Sequence, residues 1–151
     1  MTTGGDSRAL VRAVLRDSRY AVLATESGGQ PHACLMAFVP VRDGRELVFA
    51  TYRGTRKHRN LAANPRVAFL IDHRETARLR DGRRLALTAI GRATEIPADE
   101  DASARAALRR CHRDLAGFVD DPDCVLMRLT VEWYQVVGGV DDVGWYRAES
   151  I

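Results

Sequence analysis

The residue types and spacing between Thr51 and Lys57 are those of a site for a phosphate group. Lys57 is the only lysine in a chain with 22 arginines, and a lysine offers a compact point charge where an arginine offers a planar fork. Arg56 adds a second cation, and Thr51 and Thr55 add hydroxyl donors. These groups could hold one phosphate monoester through several charge-assisted hydrogen bonds.

A helix that begins directly after Thr55 would strengthen such a site. Thr55 is a suitable N-cap, and Asn64-Pro65 ends the helix predicted over residues 56–64, because the residue before a proline avoids helical geometry. The free amides of a helix N-terminus favour an anion. Bases in the first turn oppose the helix dipole by about 0.3–1 kcal/mol each. Arg56 and Lys57 therefore indicate a compensating anion, the alternative being a capped helix with a solvated basic turn.

The elements that would position this site are mostly short strands. Consecutive strands joined by tight turns pair antiparallel, and many short strands favour a closed barrel or a sandwich. With a helix between the third and fourth strands, we predict a mostly β fold: a small barrel of about six or seven antiparallel strands. The predicted strands cover residues 20–26, 32–41, 46–52, 66–72, 85–96 and 124–139.

Further features of the sequence predict burial, a bulge, two more helices and a loop. The run 32–41 is almost wholly apolar and is predicted to be buried on both faces. Gly91, inside a strand pattern, indicates a bulge or a close backbone approach. Two more helices are predicted, one capped by Asp6 or Ser7 and running to about Asp17, the other over residues 99–117. Residues 73–84 are expected to form a loop or an extended hairpin.

Composition bounds the class of protein. With 151 residues, 46% apolar and 28% charged, the chain is expected to be one globular domain over residues 1–151. No apolar run reaches the ~18 residues of a membrane span and no secretory signal is present, so we expect a cytoplasmic protein without a membrane partner. The bases are interleaved with 20 acids, which argues against a nucleic-acid partner. Three dispersed cysteines predict neither a zinc site nor a disulfide framework.

An ordered set of short motifs identifies a family. In chain order the motifs are Phe49-Ala50-Thr51, Thr55-Arg56-Lys57, Asn60-Leu61, Asn64-Pro65 and Val67-Ala68-Phe69-Leu70. With YAVLAT before them and AIGRAT after them, they make the stretch from about residue 18 to 96 resemble the pyridoxamine 5'-phosphate oxidase-like, FMN-binding split-barrel superfamily.

The resemblance implies a homodimer of split β-barrels with two flavin sites at the interface. It gives Arg56 and Lys57 the role of clamping the FMN phosphate, helped by Thr51 and Thr55. It also implies that the strand around 34–39 lines the isoalloxazine ring through backbone groups. The residues expected there are Cys34, Leu35 and Met36. The implied activity is hydride transfer between the flavin and a small-molecule substrate, with NAD(P)H as a candidate donor; no catalytic side chain and no metal site is predicted.

The chain departs from true pyridoxamine phosphate oxidases at several positions. It has Cys34 where they have an arginine, Val39 where they have a substrate-binding lysine, and Ala86 where they have a glutamine near the flavin. Oxidation of vitamin B6 is therefore not expected. Deazaflavin-using relatives share the barrel and a similar Lys-x-x-Asn-Leu pattern, so deazaflavin stays an alternative cofactor.

A second branch of the same barrel binds and degrades haem, and haem is the other alternative. Val137-Gly138-Gly139 and Trp145 are similar to a C-terminal run of that branch. His32, His58, His73 and His112 are candidate axial ligands, although a lone histidine is more often structural. Trp145 could also stack on a ring bound by the partner subunit. A non-catalytic flavin- or haem-binding module is the alternative to an enzyme.

Overall fold

The computed structural model describes residues 4–73 and 84–151, so most of the segment predicted as a loop or hairpin over 73–84 lies outside the described residues. The predicted mostly β class is confirmed. The helices are α1 (Gly4–Asp17), α2 (Arg56–Ala63), α3 (Ala98–Cys111) and α4 (Ala116–Val119). The strands are β1 (Tyr20–Ser27), β2 (Gln30–Val41), β3 (Glu46–Tyr52), β4 (Arg66–Asp72), β5 (Ala86–Glu95), β6 (Cys124–Gly139) and β7 (Asp142–Arg147).

The strands form one closed antiparallel barrel with an added edge strand. Their order in the 7-stranded sheet is β3-β2-β1-β4-β5-β6-β7, and a further pairing of β3 with β6 closes the ring. Among the described strands, β7 pairs only with β6 and stands outside the closed ring. No helix among the described residues is long and apolar enough to cross a membrane.

The barrel interior is filled by the inward-facing side chain of every second strand residue, as strand geometry requires. Phe49 packs edge-on against Phe69, with ring centroids 5.0 Å apart. Tyr134 is fully buried and its hydroxyl donates a hydrogen bond to the carbonyl of Gly44 in the turn after β2. Burial raises the pKa of the Tyr134 phenol, so this donor stays protonated at physiological pH.

A second apolar cluster lies outside the barrel, between its wall and the helices after β5. Leu108 of α3 and Val119 of α4 are buried there against outward-facing residues of β2 and β3, among them Val39 and Ala50. The helix predicted over 99–117 is wrong in length. α3 ends at Cys111 because His112 leaves helical geometry (φ −133°, ψ 70°) and turns the chain back toward the barrel.

The prediction that the run 32–41 is buried on both faces is also wrong. The inward side chains of β2 are covered, but Leu35 on the outer face is 69% exposed. The apolar pattern alone cannot separate a strand covered on both faces from one whose outer face is left open. Most other boundaries agree with expectation; α1 starts at Gly4, ahead of the predicted caps, and ends at Asp17 as predicted.

Gly91 marks both features that the sequence predicted. The register of β5 against β6 shifts between Ile90 and Gly91, which is a bulge, and a Cβ on Gly91 would lie 2.0 Å from the carbonyl oxygen of Thr130.

Because that neighbour is backbone, we predict that Gly91→Ala lowers the free energy of unfolding by about 2–3 kcal/mol. Urea denaturation of the purified variant measures this. Gly117→Ala is the matched control, since a Cβ there meets nothing within 4 Å and alanine favours the helix. A Gly91→Ala protein as stable as the parent would show that the bulge relaxes freely.

Candidate functional site

A cleft opens where β2 and β3 separate. Their ladder runs from Val41↔Glu46 to Phe38↔Phe49 and goes no further. Beyond that pair β3 stays with β6, up to Tyr52↔Cys124, while β2 continues beside β1. On the side facing the gap, no strand in residues 4–73 or 84–151 pairs with the backbone of residues 34–37. The closed barrel is therefore split at one seam.

The cleft in this seam has a volume of about 260 Å³ and is mainly apolar. β1, β2, β3, α2 and the helical segment 108–119 contribute to its walls. The lining residues are Tyr20, Leu35, Met36, Ala37, Ala50, Thr51, Tyr52, Lys57, Leu108, Leu115, Phe118 and Val119. Lys57 is the one formally charged side chain among these lining residues.

The loop after β3 positions the N-terminus of α2 at the cleft. Gly54 has φ +80°, a left-handed conformation that glycine adopts without strain. Thr55 follows in extended geometry and caps α2 as predicted, its hydroxyl accepting a hydrogen bond from the amide of His58 at 3.3 Å. The hydroxyl of buried Thr51 lies 3.1 Å from that of Thr55, so the two predicted hydroxyls form one cluster at the N-terminus of α2.

No charge in the described part of the chain compensates the two cations of this turn. Within residues 4–73 and 84–151, the side chains of Arg56 and Lys57 form no ion pair and no hydrogen bond, and no acid lies in the first turn of α2. Their neighbours differ: Arg53 pairs with Glu95 at 3.4 Å, and Arg59 donates to the carbonyl of Gly54. Two free cations at a helix N-terminus are an arrangement that an anion would stabilise.

Cys34 faces inward on β2 and is only half-buried. Its thiol lies 3.7 Å from the sulfur of Met36. Burial raises the pKa of the Cys34 thiol, and the nearby charge of Lys57 opposes part of that rise. The thiol is therefore neutral near pH 7. The field of Lys57 reaches this part of β2, which connects the cation to the strand predicted to line a flavin.

The structure brings together most of the residues predicted for the site. Leu35, Met36, Thr51 and Lys57 all line the cleft. Thr55 joins them through its hydroxyl contact with Thr51. The side chains of Arg56 and Cys34 do not line the cleft: Arg56 is exposed on the first residue of α2, and Cys34 packs at the edge of the barrel core. The ligand contacts of all seven residues stay predictions.

The helical wall of the cleft was missed from sequence. Leu108, Leu115 and Phe118 belong to it, and the ring of Phe118 packs edge-on against Tyr52 with centroids 4.8 Å apart. An apolar stripe that includes Leu108 and Leu115 was visible in the pattern of residues 99–117. The sequence pattern gave no indication that this stripe covers the seam of the barrel.

None of the four histidines lines the cleft. The ring of His112 is buried and its Nε2 donates to the carbonyl of Phe38 at 2.9 Å. His58 accepts a hydrogen bond from the amide of Gly54 through Nδ1 at 3.3 Å. His73 is fully buried with Nδ1 beside the hydroxyl of Ser18, and His32 lies on β2.

Comparison with solved structures identifies the same barrel in several proteins. A haem-binding protein from Mycobacterium smegmatis superposes with a TM-score of 0.81 at 22% identity, over 99% of this chain and 60% of that chain. A protein from Clostridium acetobutylicum related to general stress protein 26 superposes with a TM-score of 0.73 at 16% identity, over 99% of this chain and 100% of that chain. A FAD-binding protein from Mesorhizobium loti superposes with a TM-score of 0.67 at 20% identity, over 85% of this chain and 92% of that chain.

These likenesses establish the fold, and the present chain spans only 60% of the length of the mycobacterial protein. Among curated proteins, no sequence matches this one significantly. A family profile does match: that of pyridoxamine 5'-phosphate oxidase, over residues 8–138. That match covers most of the barrel and includes the seam, the α2 N-terminus and the helical wall, so the chain belongs to the pyridoxamine 5'-phosphate oxidase family.

Proposed function

We propose that the protein binds FMN in the cleft between β2 and β3 and acts as a flavin-dependent oxidoreductase. The observation that carries this is Lys57, which has no partner among the described residues and lines a mainly apolar cleft beside the capped N-terminus of α2. A ligand that suits it has a flat apolar ring and an anionic group. Family membership and the FAD-binding protein of the same fold support a flavin.

The residues present fit FMN. Lys57 and Arg56 would take the phosphate together with the hydroxyl of Thr55, and Thr51 would hold that hydroxyl in place. The ring would lie along Leu35 and Met36, where the β2 backbone has no strand partner. When bound, FMN would supply hydride transfer at N5 to a small organic substrate, with NAD(P)H as the electron donor.

Vitamin B6 is not the proposed substrate. At the position of the substrate-binding lysine of true pyridoxamine phosphate oxidases, Val39 is buried in the apolar cluster beneath α3. Ala86 and Cys34 offer no cation or amide either. The substrate class therefore stays a small organic molecule.

Deazaflavin is the first alternative, because the same cation and apolar walls would serve its phosphate and ring. Haem is the second, and the mycobacterial haem-binding protein supports it. No histidine lines the cleft to ligate a haem iron, and this observation favours a flavin.

Turnover with reduced nicotinamide separates an enzyme from a non-catalytic module, since a module would leave the nicotinamide unoxidised.

The functional unit proposed is a homodimer. Outward-facing residues of six neighbouring strands are aligned in register across the barrel wall, and several are exposed and apolar. One row is Leu35–Val22–Leu70–Thr88–Gln135–Trp145, and the next is Ala33–Ala24–Ala68–Ile90–Trp133–Arg147. We call these two rows the apolar face. Contiguous exposed apolar surface of this kind is typical of an interface between proteins.

The apolar face adjoins the cleft through Leu35, which belongs to both. The volume of about 260 Å³ in one chain is below the roughly 300–1,000 Å³ of ligand pockets. A second copy seated on the apolar face would enlarge and close the cleft. With a two-fold axis parallel to the strands, the Trp145 end of one row would meet the Leu35 end of the other, so that Trp145 could contact the ring bound by the partner.

The first prediction from the proposed function concerns the cofactor. We expect the purified protein to show the visible bands of oxidised flavin, or to bind FMN saturably when it is titrated with FMN, deazaflavin and haem in parallel. A Soret band, or saturable binding of haem alone, would refute the flavin assignment. Deazaflavin binding without FMN binding would move the protein to the deazaflavin-using relatives.

The second prediction concerns the phosphate. Loss of two charge-assisted contacts in Arg56→Ala/Lys57→Ala should weaken FMN binding on the order of 100-fold, measured by fluorescence titration. Binding of riboflavin, which lacks the phosphate, should change little. Arg66→Ala is the control, because it removes an exposed arginine outside the cleft. Unchanged FMN affinity in the double variant would rule out the proposed site.

The third prediction concerns the dimer. Leu70 is 43% exposed at the centre of the apolar face and lies outside the cleft lining. Leu70→Asp should shift the protein from dimer to monomer in analytical ultracentrifugation and weaken flavin binding. Val140→Asp places the same charge at a 96% exposed position outside both rows and should leave the dimer intact. A parent protein that sediments as a flavin-bound monomer would contradict the proposal.

A further inference from the structure

His112 is a buried polar residue that the proposed function does not yet use. It falls within the helix predicted over residues 99–117, but in the structure it lies just after α3 and the residue is 2% exposed. Its Nε2 lies 2.9 Å from the carbonyl oxygen of Phe38. Since a carbonyl only accepts hydrogen bonds, Nε2 carries the proton and donates it.

The partner of this hydrogen bond is the residue at which the barrel splits. Phe38 forms the last pair of the β2–β3 ladder, with Phe49. Its amide donates to the carbonyl of Arg19 at 3.2 Å, and the Arg19 guanidinium donates to the carbonyl of Cys111 at the end of α3. The start of β1, the splitting point of β2 and the end of α3 are thus joined in one hydrogen-bonded junction.

The same ring supports a wall of the cleft. Tyr20, which lines the cleft, packs edge-on against His112 with ring centroids 5.5 Å apart. On the other side, the chain leaving His112 continues the helical wall through Leu115 and Phe118. His112 therefore contacts the strand wall and lies within the helical wall, between Leu108 and Leu115.

We propose that His112 is a positioning residue that sets the separation of the strand wall and the helical wall of the cleft. It acts on the ring of the ligand and not on its phosphate, because its contacts are with Phe38 and Tyr20, not with the N-terminus of α2. The identity of that ring as a flavin rests on the proposed function. The inference adds a determinant of ring binding to a site so far defined by its phosphate end.

Paired variants test whether His112 positions the walls that hold the ring. His112→Leu removes the donor and should weaken the binding of FMN and of riboflavin alike, on the order of tenfold each, as expected for the loss of one buried hydrogen bond. The ratio of the two affinities should stay constant, whereas Lys57→Ala should change that ratio. His112→Gln can place an N–H donor at the position of Nε2 and should restore both affinities to within about threefold of the parent.

The control for burial is His73→Leu, at a fully buried histidine that does not line the cleft. It should cost stability without changing either affinity. The inference is overturned if His112→Leu binds both ligands like the parent, if His112→Gln is no better than His112→Leu, or if His73→Leu weakens binding equally.

Hydrogen exchange of the ligand-free protein makes the test independent of the ligand. In His112→Leu, the amide of Phe38 and those of residues 112–119 should exchange faster than in the parent, and in His73→Leu they should not. If the parent binds no flavin, the proposed function fails, and the exchange data alone decide whether His112 holds the junction. Unchanged exchange in His112→Leu would overturn the inference even where flavin binds.

Discussion

The candidate site depends on one interruption of backbone pairing, the end of the β2–β3 ladder at Phe38 and Phe49. A closed barrel normally satisfies every interior backbone group through its neighbouring strands. Here β3 stays with β6 while β2 stays with β1, so the strands diverge at a fixed residue. The backbone of residues 34–37 then faces the cleft, where no described strand pairs with it and a bound molecule could. A planar ligand with donors and acceptors along its edge is a partner of the right shape.

Electrostatics favours an anionic group at the N-terminus of α2. Arg56 and Lys57 oppose the dipole of α2, and no described side chain neutralises them. The neighbouring Cys34 cannot do so near neutral pH, because burial raises the pKa of its thiol and keeps it protonated. The positive charge at the cleft therefore stays available to an anion, and the apolar lining strengthens that interaction by lowering the local dielectric.

Much of the barrel was predictable because its signals are local. The alternation of apolar residues located the strands, Thr55 and Asn64-Pro65 bounded α2, and Gly91 marked a real bulge. The cluster proposed to bind a phosphate was visible for the same reason, since its residues lie within the short stretch 51–57. The end of α3 at Cys111 was not predictable, because the hydrogen bond that holds His112 to Phe38 joins residues 74 positions apart. The open outer face of β2 and the helical wall were missed because pattern does not specify what covers a surface.

β2 belongs to both the cleft and the apolar face, because alternate residues of one strand point to opposite sides of the barrel wall. Met36 faces inward and is buried at the cleft, whereas the neighbouring Leu35 faces outward and begins a row of the apolar face. A strand cannot shift by one residue without exchanging the two faces. Contacts made by a second copy with Leu35 would therefore fix the same backbone segment that the ring is proposed to contact. Dimerisation and ring binding would then be coupled through β2, while the phosphate end, held by α2, would contribute affinity independently of the dimer.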